Sequence, residues 1–307
     1  MKHQFVAGIA MATASVVLWG VQFPVAKDLF AAMHPVVLAA LRVGIGALAM
    51  VPLLLLAEGR AAFSYHGGAG RIGAMGVAGT CASPMLIFIG ISYSRPEHAA
   101  VLVALQASMA ALTQWLAQDR RPANFTLGCI VVAFAGVVML VTKGAALSFS
   151  GRELAGDFLI LLGVIAGLVY NLGAERFPGW SPLRFTTMTL IPGAIAGVLI
   201  VLAGTAAGWV PLPDLASLGA AWIGVAYISL GGVVVAMSLW IAGIQRIGAL
   251  NAMLLISLTP VVTFSVRYFQ GETYVPVELA GGAVVVGALI ANNMYLRRQF
   301  ARKAARV

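Results

Sequence analysis

Ten stretches of about twenty mainly apolar residues run through this chain, each bounded by charge, proline or glycine, at about 5–26, 35–57, 72–92, 97–116, 124–142, 155–173, 183–204, 218–242, 249–268 and 277–296. That length is what a membrane demands: the hydrocarbon layer is about 30 Å thick and an α-helix rises about 1.5 Å per residue, so a crossing takes about 20 residues. Of 307 residues, 61% are hydrophobic and 9% charged, where an ordinary soluble domain is about 25% charged. No water-soluble core could enclose so much apolar surface. The pattern predicts an all-α membrane protein of ten transmembrane helices. The run at 5–26 follows Lys2 and His3 and could pass for a signal peptide. It is long, ends in WGVQFP and precedes nine more runs, so it reads as a retained first helix.

The formal net charge of +9 does not point to nucleic acid, because the charges sit in loops and in the tail RRQFARKAAR rather than on one basic face. Their distribution sets orientation, since positive loops stay in the cytoplasm. With the N-terminus inside, Lys2, Arg60, Arg71, Arg120, Arg121, Arg176, Arg184, Arg246, Arg297, Arg298, Arg302, Lys303 and Arg306 are cytoplasmic, against Lys27, Arg95, Lys143, Arg152 and Arg267 outside. Both termini are therefore expected in the cytoplasm, with the protein in the cell's inner membrane. Cys81 and Cys129 fall inside apolar runs, where cysteine behaves as a small hydrophobe, so neither a disulfide nor a metal site is expected and no cofactor is called for.

Sliding the chain on itself by 153 residues pairs 72–140 with 225–293 and leaves eleven identities, Gly79/Gly232 and Gly128/Gly281 among them. Chance in so biased a composition gives roughly six. Helix boundaries coincide as well, and Asp119 lands on Glu272. Five helices separate the copies, an odd number, so the second copy enters the membrane inverted, as in many carriers whose substrate binds between the repeats near the midplane. The expected domains are a first repeat over 1–142, an outer linker at 143–154, a second repeat over 155–296 and a basic cytoplasmic tail at 297–307.

WGVQFPVAK in the first run, ALRVGIGAL in the second, and the pair GISYSRPEHAAVLVALQA and GIQRIGALNAMLLISLTPVVTFSVRYFQGE resemble the ten-helix EamA-type branch of the drug/metabolite transporter superfamily. Pro260 and Glu272 fit the pattern, while Ala107 and Asp119 stand where a proline and a glutamate are common. The resemblance implies an exporter of amino acids or related small metabolites. One aromatic amino-acid exporter group of that family, YddG, is similar in length and layout.

The ten carboxylates, Asp28, Glu58, Glu97, Asp119, Glu153, Asp157, Glu175, Asp214, Glu272 and Glu278, all lie away from the helix middles. A proton-driven antiporter usually keeps an acid inside the membrane, where burial raises its pKa. Exchange or facilitated diffusion is therefore expected over tight proton coupling. His98, near the start of the fourth helix, could face a cavity and titrate; its ordinary reading is a helix-end residue in contact with water. Arg42, seven residues into the second helix, must face protein or water. It attracts a substrate carboxylate, bonds backbone carbonyls, or snorkels to the interface.

Polar and aromatic side chains within spans outline a candidate substrate cavity: Trp19, Gln22 and Phe23; Ser83; Gln106; Tyr170 and Asn171; Tyr227 and Trp240; Asn251 with Ser257. Aromatic faces with a few amides suit an amphipathic solute, although a lone aromatic more often sits in the interface belt. Pro84, Pro192 and Pro260 would bend their helices as hinges or shape the cavity. Gly163/Gly167 and Gly193/Gly197 are read as close packing within one subunit, and the protein as a monomer with a dimer as the alternative. The expected partners are a small-molecule substrate and membrane lipid. A membrane-embedded enzyme would need a nucleophile with its base, a metal cluster or paired acids within the spans, and a channel would more often form an oligomer with charged rings. A multidrug exporter of cations is the nearest rival.

Overall fold

The computed structural model describes residues 2–106, 108–109, 112, 115, 121–142, 151–174, 177, 179–247, 252 and 255–304. Among these the chain is helical, with no strand. We number the helices α1 (Lys2–Leu29), α2 (Pro35–Glu58), α3 (Ala69–Tyr93), α4 (Pro96–Ala104), α5 (Asn124–Thr142), α6 (Gly151–Ala174), α7 (Pro182–Ala206), α8 (Leu215–Ala226, continuing to Ile247), α9 (Thr259–Phe269) and α10 (Pro276–Ala304). Eight are long and apolar enough to cross a membrane; α4 and α9 are the described parts of the fourth and ninth apolar runs, which also contain residues outside the description. Surface exposure is inverted relative to a water-soluble protein, with Leu48 at 77%, Leu56 at 84% and Val131 at 69% exposed. Such strips are stable only against lipid.

Contacts divide the described chain into two compact units. One comprises Met1–Phe23, Pro96–Leu154 and Leu239–Val307, and the other Pro24–Arg95 and Ala155–Ser238. Each unit draws helices from both halves of the sequence. In the first, α5 packs along α10 through glycines: a β-carbon on Gly136 would meet the Gly281 carbonyl at 2.8 Å, and one on Gly281 the Gly136 carbonyl at 2.7 Å. In the second, α2 packs on α7 and α8, and α3 on α7, around Val43, Ala47, Met50, Leu190 and Val233. Gly163 lets α6 pack closely on α3, where a β-carbon would lie 2.8 Å from the Ser83 carbonyl, and Gly197 lets α7 approach Ala40 of α2.

Two helices change their winding. Gly76–Ala82 in α3 and Tyr227–Val235 in α8 are π-helical. Shifted by the 153 residues that align the sequence repeat, 76–82 becomes 229–235. The repeat thus extends to a backbone irregularity, with Gly79 and Gly232 inside its two copies.

The three prolines differ. Pro84 lies two residues past the π segment of α3, Pro192 lies within an unbroken α7, and Pro260 occupies the first turn of α9, after helical residues 255–256 and a turn at 257–258. A fourth proline, Pro24, leaves the Gly20 carbonyl of α1 without its helical donor. Thr263 of α9 takes that place, its hydroxyl donating to Gly20 O at 2.7 Å.

Candidate functional site

In the first unit, Trp19 and Trp240 come together with ring centroids 5.4 Å apart and planes tilted by 54°. Trp240 rests on the buried cluster of Ala12, Ile247 and Ala252. One turn along α1 from Trp19, Gln22 is 6% exposed and Phe23 is buried. The amide oxygen Oε1 of Gln22 is enclosed with no hydrogen-bond partner among the described residues. A buried acceptor left unmatched costs about 1–3 kcal/mol, so this atom marks a place where a donor is wanted. Gly20 supplies the room that keeps α9 close: a β-carbon there would fall within 2.8 Å of both Val262 Cβ and Cγ1. Gln106 is half-buried on the fourth helical stretch, Ser257 is buried just before α9, and Asn251 lies outside the described residues.

His98 corrects the expectation of a water-contacting helix end, since it is 1% exposed. The first turn of α4 is enclosed because α5, α9 and α10 all pack on it. The same enclosure captures Glu97, also 1% exposed. Its Oε1 accepts a hydrogen bond from the Tyr274 hydroxyl at 2.7 Å and lies 3.5 Å from Arg267 Nε, while Arg267 Nη2 reaches Glu272 at 2.9 Å. The reading of the acids as peripheral therefore holds along the sequence and fails in space. Glu278 (2% exposed) receives the Val275 amide at the start of α10, and Asp157 (9%) receives the Ser94 hydroxyl in the second unit. Glu97 and Glu278 sit in the first turns of their helices, where α-helical N–H groups favour negative charge; the second oxygen of Glu97, Oε2, is enclosed with no hydrogen-bond partner among the described residues.

In the second unit, Arg42 shares a face of α2 with buried Leu38, Ala39 and Gly46, away from the exposed Leu48. Its Nε is enclosed without a partner among the described residues. Ser83 is buried at the end of the π segment of α3. Tyr170 lies against Gly79, whose missing side chain is what admits the ring; it stacks at 5.1 Å on Phe185 and faces Thr186 and Thr189. Only the backbone of Asn171 is described, on α6. Tyr227 opens the π segment of α8.

The structure thus joins Trp19 with Trp240 in one unit and places Arg42, Ser83, Tyr170 and Tyr227 in the other. Sequence reasoning missed the Glu97–Tyr274–Arg267 network and Ser229. It also missed Lys27, whose Nζ donates to the Ile91 and Ser94 carbonyls at 2.7 Å each and so caps the end of α3. A Lys adjoining an acid after an apolar run looks like a solvated loop, and its neighbour 64 residues on leaves no local signal.

A sequence model of the EamA-like transporter family matches the chain twice, over residues 6–142 and 154–294. The chain is 30% identical over 305 residues to the uncharacterized transporter YrdR of Bacillus subtilis (strain 168), covering 97% of this chain and 94% of that protein. It is 29% identical to the uncharacterized transporter YyaM of the same organism, covering 90% of each. A solved crystal structure superimposes with a TM-score of 0.67 over 97% of this chain and 99% of the other, at 18% identity, which speaks to the fold.

Proposed function

This chain belongs to the EamA-like transporter family, and on that footing we propose that it exports amino acids or related small metabolites, aromatic ones among them, across the inner membrane by alternating access, with both termini in the cytoplasm. The observation that carries the solute class is the first unit's combination of two tilted tryptophan rings with centroids 5.4 Å apart and an enclosed, unmatched amide oxygen on Gln22. Indole faces take an apolar or aromatic group, and the amide oxygen takes an N–H donor. An amino acid with a ring side chain presents both. The buried acids Glu97, Asp157 and Glu278 each have a tyrosine, arginine, serine or backbone partner, which supports exchange or facilitated flux rather than a proton cycle.

Counterflow in proteoliposomes tests this reading. Labelled phenylalanine and threonine should both exchange, and exchange should continue when the proton gradient is collapsed. Removing one indole takes away a stacking surface of about 1 kcal/mol, a factor of about five. Trp19→Ala and Trp240→Ala should therefore each lower the ratio of phenylalanine to threonine flux by about that factor at matched protein level. An unchanged ratio in both variants removes the tryptophans from the solute's path, and no counterflow with any amino acid removes the solute class.

A further inference from the structure

Many hydroxyls within the spans follow one habit. Thr80, Thr187, Thr189, Ser238, Thr263 and Ser265 each donate to the carbonyl four residues back, the usual way a hydroxyl is satisfied inside a helix. Ser229 does not. It is 0% exposed, and its Oγ has no partner among the described residues. It lies in the π segment of α8.

The neighbouring helix carries a second unmatched donor. Gly46 of α2 abuts Val233 of α8, where a β-carbon would lie 2.9 Å from Val233 Cγ1, and Leu29, at the end of α1, abuts Gly224. Leu29 lies just before the turn into α2 at Pro35, so Gly224 marks the part of α8 nearest the start of α2 and Val233 lies further along; α2 and α8 therefore run parallel. Arg42 precedes Gly46 by four residues and Ser229 precedes Val233 by four. Arg42 is about one α turn, roughly 6 Å, from the shared contact, and Ser229 is just under one of the wider π turns from it, each on the same side of its helix. Arg42 and Ser229 therefore stand at one level on facing helices. No hydrogen bond or ion pair ties Arg42 to any described residue, and no described carboxylate pairs with it. An unneutralised guanidinium in a span is costly, and with a hydroxyl beside it the pair offers donors only.

We propose that Arg42 and Ser229 form an anion subsite that receives the carboxylate of the transported solute. The inference rests on the transport reading above and narrows its substrate class: the guanidinium fork gives two parallel N–H donors to the carboxylate, and the serine hydroxyl gives the third. A solute without a carboxylate gains nothing there.

The experiment uses the purified full chain and three probes: phenylalanine, 3-phenylpropionate, which keeps the carboxylate and lacks the amine, and phenethylamine, which keeps the amine and lacks the carboxylate. Binding is read by intrinsic tryptophan fluorescence, and folding of each variant by its thermal unfolding. Wild type should bind 3-phenylpropionate at least tenfold more tightly than phenethylamine. Arg42→Gln should erase that preference, Arg42→Lys should keep part of it, and Ser229→Ala should weaken 3-phenylpropionate several-fold without affecting phenethylamine. Should Arg42→Gln fail to fold, Ser229→Ala and Arg42→Lys carry the test. Equal binding of the two single-function probes by wild type, or a preference untouched in Ser229→Ala and in whichever Arg42 variants fold, overturns the subsite. Arginine-dependent binding of 3-phenylpropionate without amino-acid counterflow keeps the subsite and refutes the amino-acid reading, while counterflow that ignores the carboxylate does the reverse.

Discussion

Glu97 invites two incompatible readings, and its replacement separates them. As a coupling acid, its loss would abolish transport and leave the fold intact. As a pin between α4, α9 and the approach to α10, its loss would destabilise the first unit. The geometry argues for the pin: the carboxylate is 1% exposed, takes the Tyr274 hydroxyl at 2.7 Å and faces Arg267 Nε at 3.5 Å. Removing one member of a buried ion pair costs about 3–5 kcal/mol when the partner is stranded. Here Arg267 keeps Glu272 at 2.9 Å and is itself 19% exposed, so Glu97→Ala should cost less, about 2–3 kcal/mol. Glu97→Gln keeps the shape and an acceptor for Tyr274, and should cost about 1–2 kcal/mol. Tyr274→Phe removes one hydrogen bond to a charged group and should cost about 1.5–3 kcal/mol. Adding Tyr274→Phe to Glu97→Ala should cost little more, because the two act on the same bond. The assay is denaturant unfolding in detergent micelles, with counterflow measured on the folded fraction. Glu97→Ala as stable as wild type but inactive would overturn the argument.

The α5–α10 seam offers a steric test: Gly136→Ala and Gly281→Ala each place a methyl under 3 Å from a carbonyl of the other helix, and each should cost about 1–3 kcal/mol by the same unfolding assay. His34 caps α2 by accepting the Val36 amide at 3.4 Å, and burial lowers its pKa below 6.5. The unfolded chain therefore binds the proton more readily, so this contribution is complete above pH about 6.5 and fades as pH falls through the lower folded value. Unfolding midpoints between pH 7 and 5 should drop more in wild type than in His34→Asn. Reporter fusions after residue 300 should read cytoplasmic and fusions near residue 212 external; the opposite result refutes the orientation drawn from the loop charges.

Much of the fold was legible because lipid imposes a length rule that each span must obey separately. The apolar runs locate eight full helices and the described parts of two more, and the 153-residue shift anticipates even the matching π segments. Lateral packing was less legible. Nothing in PEHAA says that Glu97 will lie beneath Tyr274, since the bond crosses 177 residues and depends on which helices adjoin. Trp19 and Trp240 could be selected as candidates from their residue type, but their meeting needed the packing of α1. Ser229 was invisible for another reason: a serine in an apolar run ordinarily bonds its own helix, and nothing in the sequence marks this one as unmatched. Pro24 is the reverse case, a breaker in an unbroken helix, tolerated because Thr263 answers the carbonyl it strands.

The π segments also fix phase. A π turn holds one residue more than an α turn, so everything downstream of it is rotated by about 100° relative to an uninterrupted α-helix. In α3 that rotation decides which of Ser83, Pro84 and Phe88 meet protein, all three being buried, and in α8 it sets the azimuth of Trp240. Deleting a single residue from 76–82 would restore ordinary winding, preserve hydropathy and length almost unchanged, and turn the wrong side of the remaining helix toward its neighbours. The sequence of this chain is thus less tolerant of a one-residue indel at two particular depths than its bland apolar composition suggests, and those two depths are the same position counted once in each repeat.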